Sequence, residues 1–586
     1  MRKRARFELC ILGATLAVFA AAAVAASGAT EAGSAGERAP VFTDAKAFDV
    51  SAPLRELAKK AKPQKEHKMR PELGPQVVAD RGHSRDGAVQ DAVGSLSIGG
   101  PLANFEGLSN TDNFNVFGFR VNPPDPVGDV GPNHYVEMIN LVFGVYDKSG
   151  NKLLGPVDTG SLWADFPIED CTDPSGDPIV LYDQTTDRWI LSQFTTRGLD
   201  PATPTAPFYN CVAISKTGDP TGAYFRYAFI TQADPDGGFF FPDYPKYGVW
   251  SNSYIMTTRD FGLVDAYGIS VYALEKNKMI AGNPNARAVQ FFLDSEEVDL
   301  NLIGDGLLPP DLDGNRRPTP TGSPAPIVGT QDDDATYGAT FDALNIWELS
   351  VHWRANPTAS IELAAQLPVA EFDSIFPCAV VPSTTPGMPA NARDCLPQPG
   401  ITDGSRFLDI LSYRQRPTWR LAYRNFGKYE AMVTNQSVEA LPGVAGARWY
   451  ELRRTNGVYS VHQQGTYAPN DGVHRWMGSA AMDKRGNIAL GYSVVNGIDV
   501  FPGIRYTGRL SGDPAGQMTL GEASIIEGSG VQTTTNSRWG DYTSMNIDPT
   551  DDCTFWYVNE YYTAAGQASS PAGWQTRIAS FKLPGC

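Results

Sequence analysis

The stretch Asp177-Pro-Ile-Val-Leu-Tyr-Asp183, followed after a polar turn by Arg188-Trp-Ile-Leu191, decides how the rest of the chain is read. Apolar and polar residues alternate on both sides of the Asp183–Asp187 reversal, so the two runs read as the strands of a β-hairpin, each burying one face. The same unit recurs: an Asp, an alternating run, a polar turn, a second run. It stands at Asp129-Val-Gly-Pro-Asn-His-Tyr-Val136, and at Asp243-Tyr-Pro-Lys-Tyr-Gly-Val-Trp250 with Tyr254-Ile-Met-Thr257. Three later copies begin with an arginine: Arg406-Phe-Leu-Asp-Ile-Leu411, Arg475-Trp-Met-Gly-Ser-Ala-Ala-Met-Asp483 and Arg538-Trp-Gly-Asp-Tyr-Thr-Ser-Met-Asn-Ile-Asp548. A weaker copy runs from Asp334 through Tyr337 to Trp347, and further reversals fall at Asp483–Asn487 and Asp548–Asp552.

The last three copies start 69 and 63 residues apart, enough for a four-stranded sheet with its loops. Repetition on that scale fits a radial array in which each sheet covers its neighbour's apolar face. The expected fold is therefore all-β: a single β-propeller of seven blades, with six or eight as alternatives. A row of independent β-sandwiches would need linkers, and none is visible after Gly100. Thr576-Arg-Ile-Ala-Ser-Phe-Lys-Leu583 reads as the last strand, and the stretch from Phe105 to Phe119 can supply a strand to the same blade, protecting the edges.

Ahead of the repeats, Arg2 to Arg6 precede an apolar run from Leu9 to Ala26 that ends in small residues, the order of a secretory signal peptide. Residues 1–26 are read as that signal, with an uncleaved anchor as the alternative. No later segment is apolar and long enough to span a bilayer. Residues 27–100 carry few aromatics and a Lys-rich patch from Arg55 to Arg70, and read as a flexible, disordered leader or pro-segment with one short helix near Leu54 to Lys62. The propeller is assigned to residues 101–586. Loss of the signal removes Cys10 and leaves Cys171, Cys211, Cys378, Cys395, Cys553 and Cys586, an even set bound for an oxidising compartment. Three disulfides are expected; six cysteines allow fifteen connectivities, of which sequential pairing closes three local loops. The expected location is secreted, periplasmic or at the cell surface. A net charge of −17 argues against nucleic acid as a partner, because phosphate contacts need clustered Lys and Arg.

The chain resembles secreted bacterial β-propeller proteins of uncharacterised function, loosely those with sialidase-like and BNR-repeat folds. The resemblance rests on Asp177 to Asp183 with Arg188 and Trp189, on Ser215-Lys-Thr-Gly-Asp-Pro-Thr-Gly-Ala-Tyr224, and on Arg538 to Tyr542 with Asp548-Pro-Thr-Asp-Asp-Cys-Thr-Phe-Trp-Tyr557. It implies a fold, not an activity, and the Asp-box S-x-D-x-G-x-T-W of true sialidase-like repeats has no proper copy here.

If the units superpose, Asp129, Asp177, Asp243, Asp409 and Asp541 share one position and ring one mouth of the channel. Arg406, Arg475 and Arg538, three residues earlier in their units, then converge on one sector, where planar guanidinium groups suit a carboxylate or sulfate. Trp476, Trp539 and Tyr542 add aromatic faces for a glycan or protein ligand. The bland reading has the same Asp and Arg tying blade to blade. Two functions follow: a binding module for an extracellular glycan or protein, or a polysaccharide-cleaving hydrolase or lyase using Asp177, Asp243 and Asp541, with Glu560 and Tyr542 behind them. No H-E-x-x-H, G-x-S-x-G or P-loop pattern is present, and His134, His352, His462 and His474 lack ligand spacing. No cofactor is expected. Calcium is weighed at Asp311-Leu-Asp313-Gly-Asn315, which opens like an EF-hand loop but has Arg316 at the required Gly and Gly322 at the bidentate Glu; Asp332, Asp333 and Asp334 add carboxylates without a spacing rule.

Overall fold

The turn chemistry read from the sequence closes the hairpins. Asp183 accepts from the Thr185 amide at 3.0 Å and from the Thr185 and Thr186 hydroxyls at 2.6 Å each. Asp483 takes the Arg485 and Asn487 amides, and Asp548 the Thr550 amide and hydroxyl. An Asp that satisfies its own turn in this way fixes the reversal. The strands so joined, Ile179–Asp183 to Arg188–Phe194, His474–Met482 to Ile488–Val495 and Ser544–Ile547 to Thr554–Tyr562, pair antiparallel. This computed structural model describes residues 39–60, 84–200, 207–231, 239–262, 266–318, 322–334, 337–378, 394–410, 415–534 and 538–586. All lie in one unit, Gly36–Cys586; the signal peptide lies outside the described residues.

The architecture is mostly β, with several sheets in a propeller-like arrangement. In chain order the larger sheets begin at strands Val127–Val130, Ile179–Asp183, Phe240–Val249, Ala325–Gln331, Thr418–Asn425, His474–Met482 and Ser544–Ile547, here called the first to the seventh sheet. Six of them continue as up-and-down meanders of four antiparallel strands and one of three. The seventh sheet is completed from the other end of the domain, because Ala103–Ser109 pairs with Trp574–Lys582. The strand sought between Phe105 and Phe119 therefore exists but ends early: Ser109 caps the helix Asn110–Phe117 in a reciprocal bond pair with Asp112. The Ser544 hydroxyl donates to the Gly128 carbonyl and accepts from the Gly128 amide, both at 2.8 Å, so the seventh sheet is tied to the first.

Two parts of the sequence reading need correction. The leader is not disordered over its described residues: Val41–Asp44 adds an outer strand to the third sheet, Ala47–Val50 one to the second, and Val89–Gln90 one to the fifth. The first two segments lay Phe42 and Phe48 against the core, and all three satisfy open backbone edges of larger sheets. A helix does form at Leu54–Leu57, with Leu54 and Leu57 buried. The second correction concerns the middle units. Asp409 belongs to a two-stranded ladder, Asp394–Leu396 with Leu408–Asp409, and the antiparallel meander of the fifth sheet starts only at Thr418, with Pro310–Asp313 pairing parallel to its first strand. Asp334 follows the first strand of the fourth sheet instead of opening it.

Disulfides join Cys171 to Cys211, Cys378 to Cys395 and Cys553 to Cys586, the sequential set. Among the described residues no helix is long and apolar enough to cross a membrane.

A buried ionic layer ties the sheets together. Arg420, wholly buried, donates to Asp311 at 3.0 Å, to Asp313 at 2.9 and 2.7 Å, and to the Met545 carbonyl of the seventh sheet at 2.9 Å. Asp311 also accepts the Val249 amide of the third sheet, while Asp129 of the first sheet accepts the Tyr182 amide of the second at 2.7 Å. The loop weighed for calcium is thus a strand, Pro310–Asp313, whose carboxylates are engaged by an arginine.

Burial leaves many carboxyls reluctant to ionise. It pushes Asp125, Glu137 and Asp342 up to about 7, and Asp260 and Asp373 up to about 8. Each binds its proton more tightly in the folded than in the unfolded chain, so its stabilising contribution is complete below about pH 4 and fades as pH rises through about 7 to 8. Thermal unfolding midpoints are expected to fall between pH 5 and pH 7; a midpoint that rises across that interval contradicts the burial of these groups.

Candidate binding site at the inner strand ends

Three non-glycine residues in left-handed conformation stand on the first strands of the first three sheets or just ahead of them: Asp125 (φ 46°) and Asp177 (φ 50°) before their strands, and Tyr244 (φ 55°) at the bulge within Phe240–Val249. Each precedes a proline, Pro126, Pro178 and Pro245. The left-handed backbone is unfavourable for such residues and costs on the order of 1–3 kcal/mol, so it persists only where the surroundings enforce it. Here the enforcing contacts come from other sheets. The Asp541 amide, ahead of the seventh sheet, donates to Asp125 at 3.0 Å. Asn140 of the first sheet donates to Asp125 at 2.7 Å and accepts the Asp177 amide at 3.1 Å. Tyr244 donates its hydroxyl to the Asp541 carbonyl at 3.1 Å, and Tyr542 donates to the Pro178 carbonyl at 3.3 Å. Residues 541 and 542 therefore bond to the first, second and third sheets at once.

Between the two tyrosines sits Lys246, its ammonium 3.3 Å from the Tyr244 ring centre and 3.8 Å from that of Tyr542. Burial pushes its pKa down to about 7, against the pull of Asp177 and Asp125; the two ring faces also favour the cation. Arg416 lies over Tyr244 at 3.8 Å, and Arg259, paired with Asp305 at 3.2 Å, stands near the same ring. On the acidic side, burial and then the charge of Asp243 hold Asp177 well above the usual carboxylate range. Burial does the same to Glu560, whose Oε2 accepts the Gly540 amide at 2.8 Å and whose Oε1 has no hydrogen-bond partner. Arg538 pairs with Asp541. Most of these groups are buried; Asp243 is half-buried and the Arg538 side chain is 21% exposed, so the cluster meets solvent on their side. The cluster offers proton-bearing carboxyls, a caged ammonium and guanidinium donors on a stiff frame, a set matched to a polyhydroxylated or acidic molecule.

Of the sequence candidates, Asp177, Asp243, Asp541 and Tyr542 come together here. Asp129 does not, being four residues further along its strand than Asp125 and part of the Arg420 layer. The three arginines are each held by different carboxylates. Arg406 pairs with Asp403, and Arg475 is buried between Asp471 at 2.8 Å and Glu522 at 2.7 Å. Trp476 and Trp539 are fully buried, ring centres 5.2 Å apart, in a core cluster instead of on an open face. Sequence reading missed Asp125, Asn140, Tyr244, Lys246, Arg259 and Arg416. The signal for several of them was an X-Pro pair, just before the strand at Asp125-Pro126, Asp177-Pro178 and Arg416-Pro417 and at the bulge within it at Tyr244-Pro245.

Asp332, Asp333 and Asp342 bring one carboxylate oxygen each within 4.8 Å of one another. Asp332 accepts the Ser374 amide and Asp342 the Phe372 amide, so these acids also hold a loop against the fourth sheet.

No family model matches the chain, and no curated protein matches it. Among solved structures, it is similar to an α-L-arabinanase of Penicillium chrysogenum complexed with arabinobiose, with 12% identity over 69% of this chain and 94% of that one and a TM-score of 0.30. It is also similar to a subtype N11 neuraminidase-like protein of influenza A/flat-faced bat/Peru/033/2010, at 9% identity over 70% and 92% with a TM-score of 0.29. A thermostable family-43 glycoside hydrolase aligns at 9% identity over 59% and 94% with a TM-score of 0.27.

Proposed function

We propose that the sheets are the blades of one closed, seven-bladed propeller, exported from the cell, which binds an extracellular glycan at the inner strand ends around Asp177, Asp243 and Asp541. The observation that carries this reading is the convergence of residues 541 and 542 on three other sheets, with Lys246 caged between Tyr244 and Tyr542. Buried charges of both signs cost stability unless paired, and a protein that gathers them at the ends of several strands gains a pre-organised polar surface in return. Sugars, with alternating donors and acceptors, suit that surface. Retention of the purified chain on a panel of neutral and acidic polysaccharides tests the reading. Asp243→Asn, at the accessible side, is expected to weaken retention at least tenfold while the thermal midpoint stays put. Wild-type retention in that variant removes the inner strand ends from the binding surface.

Cleavage is the second reading. It is favoured by two carboxyls held differently: burial and the charge of Asp243 push Asp177 well above the usual carboxylate range, and Arg538 pairs with the nearby Asp541. Glycoside hydrolysis uses a pair of carboxyls, one of which gives a proton. Release of reducing ends from a retained polysaccharide, lost in Asp177→Asn, supports it; retention without release refutes it for that substrate.

A further inference from the structure

A second cavity, of about 690 Å³, lies away from the inner strand ends, where the fourth and fifth sheets face each other. Its walls come from the Gly322 turn, from Ser350 and His352 at the end of strand Ala343–His352, from the Lys428–Tyr429 hairpin, and from Arg454 and Asn456. The volume falls in the range of ligand pockets, ~300–1,000 Å³. Its lining holds two cations, Lys428 and Arg454, and one carboxylate, Glu430, in a molecule that carries −17 overall. Lys428 is exposed and has no ion-pair partner among the described residues. Arg454 is fixed by Glu348 at 3.0 Å and Glu430 at 3.6 Å, with Tyr459 bonding the same Glu348 at 2.6 Å, and its buried Nε has no partner. Arg316 packs on Gly427, where a Cβ would stand 1.9 Å from its Nη1, so only glycine lets this guanidinium lie against the hairpin. Arg317 is anchored beside it, its carbonyl accepting from Asn425 at 2.8 Å.

We propose that this cavity is a binding site for an acidic saccharide, with Lys428 and Arg454 taking the carboxylate or sulfate and Asn456, Ser350 and His352 taking ring hydroxyls. With Arg454 paired to Glu348 and Glu430, the ammonium of Lys428 is the lining charge that attracts an anion which the acidic remainder of the surface repels. The guanidinium of Arg454 is pre-oriented by two carboxylates, so little rotamer freedom is lost when a ligand arrives. Tyr429, held by Phe426 at 5.1 Å and by the Arg453 guanidinium at 4.1 Å, keeps the hairpin wall rigid.

The test is calorimetric titration of the full chain with a galacturonate trisaccharide, its fully methyl-esterified form and a sulfated galactose disaccharide. One acidic sugar is expected to bind at least tenfold more tightly than the ester, and Lys428→Glu to weaken it at least tenfold with an unchanged thermal midpoint. Binding of the sulfated sugar alone supports the site and identifies the anion as a sulfate ester; binding of the uronate identifies a carboxylate. Equal binding of the methyl ester, no binding of either acidic sugar, or wild-type affinity in Lys428→Glu overturns the proposal. Because Lys428 takes no part in the inner strand ends, these outcomes are independent of the fate of that site.

Discussion

Arg420→Met is expected to lower the unfolding free energy by about 3–5 kcal/mol, the cost of removing one partner from a buried ionic cluster. Methionine keeps most of the volume, so the loss is electrostatic. Asp311 and Asp313 would be left buried without their cation, and the Met545 carbonyl without its donor. The effect has a pH signature. Burial already lifts Asp311 to about 6 although the arginine pulls it down, so in the variant a proton replaces the cation at less cost at pH 5 than at pH 8. The destabilisation measured by urea unfolding is therefore larger at pH 8. A variant as stable as the wild type, or a loss independent of pH, would mean that the layer between the sheets is not built on this arginine.

Trp476→Ala is expected to cost about 3–5 kcal/mol, the range for emptying a buried aromatic site. The ring is fully buried against Trp539, and its Nε1 has no hydrogen-bond partner, so the whole effect is lost packing. Trp539→Ala should behave similarly, with the added loss of its bond to the Ser493 hydroxyl at 3.1 Å. A tryptophan on a ligand platform would give the opposite pattern: a stable protein that no longer binds. Urea unfolding and polysaccharide retention, measured on the same variant, separate the two.

These two residues also show where the sequence stops being informative. Hairpins such as Asp183–Asp187 are legible because the carboxylate that fixes the turn lies within three residues of its partners. The disulfides are legible as a local set for a similar reason, with separations of 40, 17 and 33 residues. The partners of Arg475 are less so: Glu522 stands 47 residues away in sequence, and nothing in the repeat marks it. Trp476 follows an arginine paired with carboxylates, and alternation along its strand sends the ring to the other side, into the core, where it meets Trp539 from the segment ahead of the seventh sheet. The register of the repeat was misjudged at the first unit because an Asp before apolar residues occurs at both 125 and 129; only the proline after Asp125 distinguishes the strand start. The short strands at Val41–Asp44 and Ala47–Val50 could not be read from composition, since their stability comes from the sheet edges they cover. Lys246 and Arg416 were invisible for a further reason: the second ring around Lys246, Tyr542, comes from the segment ahead of the seventh sheet, and Arg416 meets Tyr244 only once the third and fifth sheets approach each other.

The measurement that bears most directly on the account is hydrogen–deuterium exchange of the full chain with and without a polysaccharide that retains it. Slowed exchange in peptides spanning residues 123–128, 177–180, 243–247 and 538–544 together is the predicted result, since one ligand seated at the inner strand ends must touch the first, second, third and seventh sheets at once. Protection confined to the outer strands, with those four segments unchanged, would contradict it.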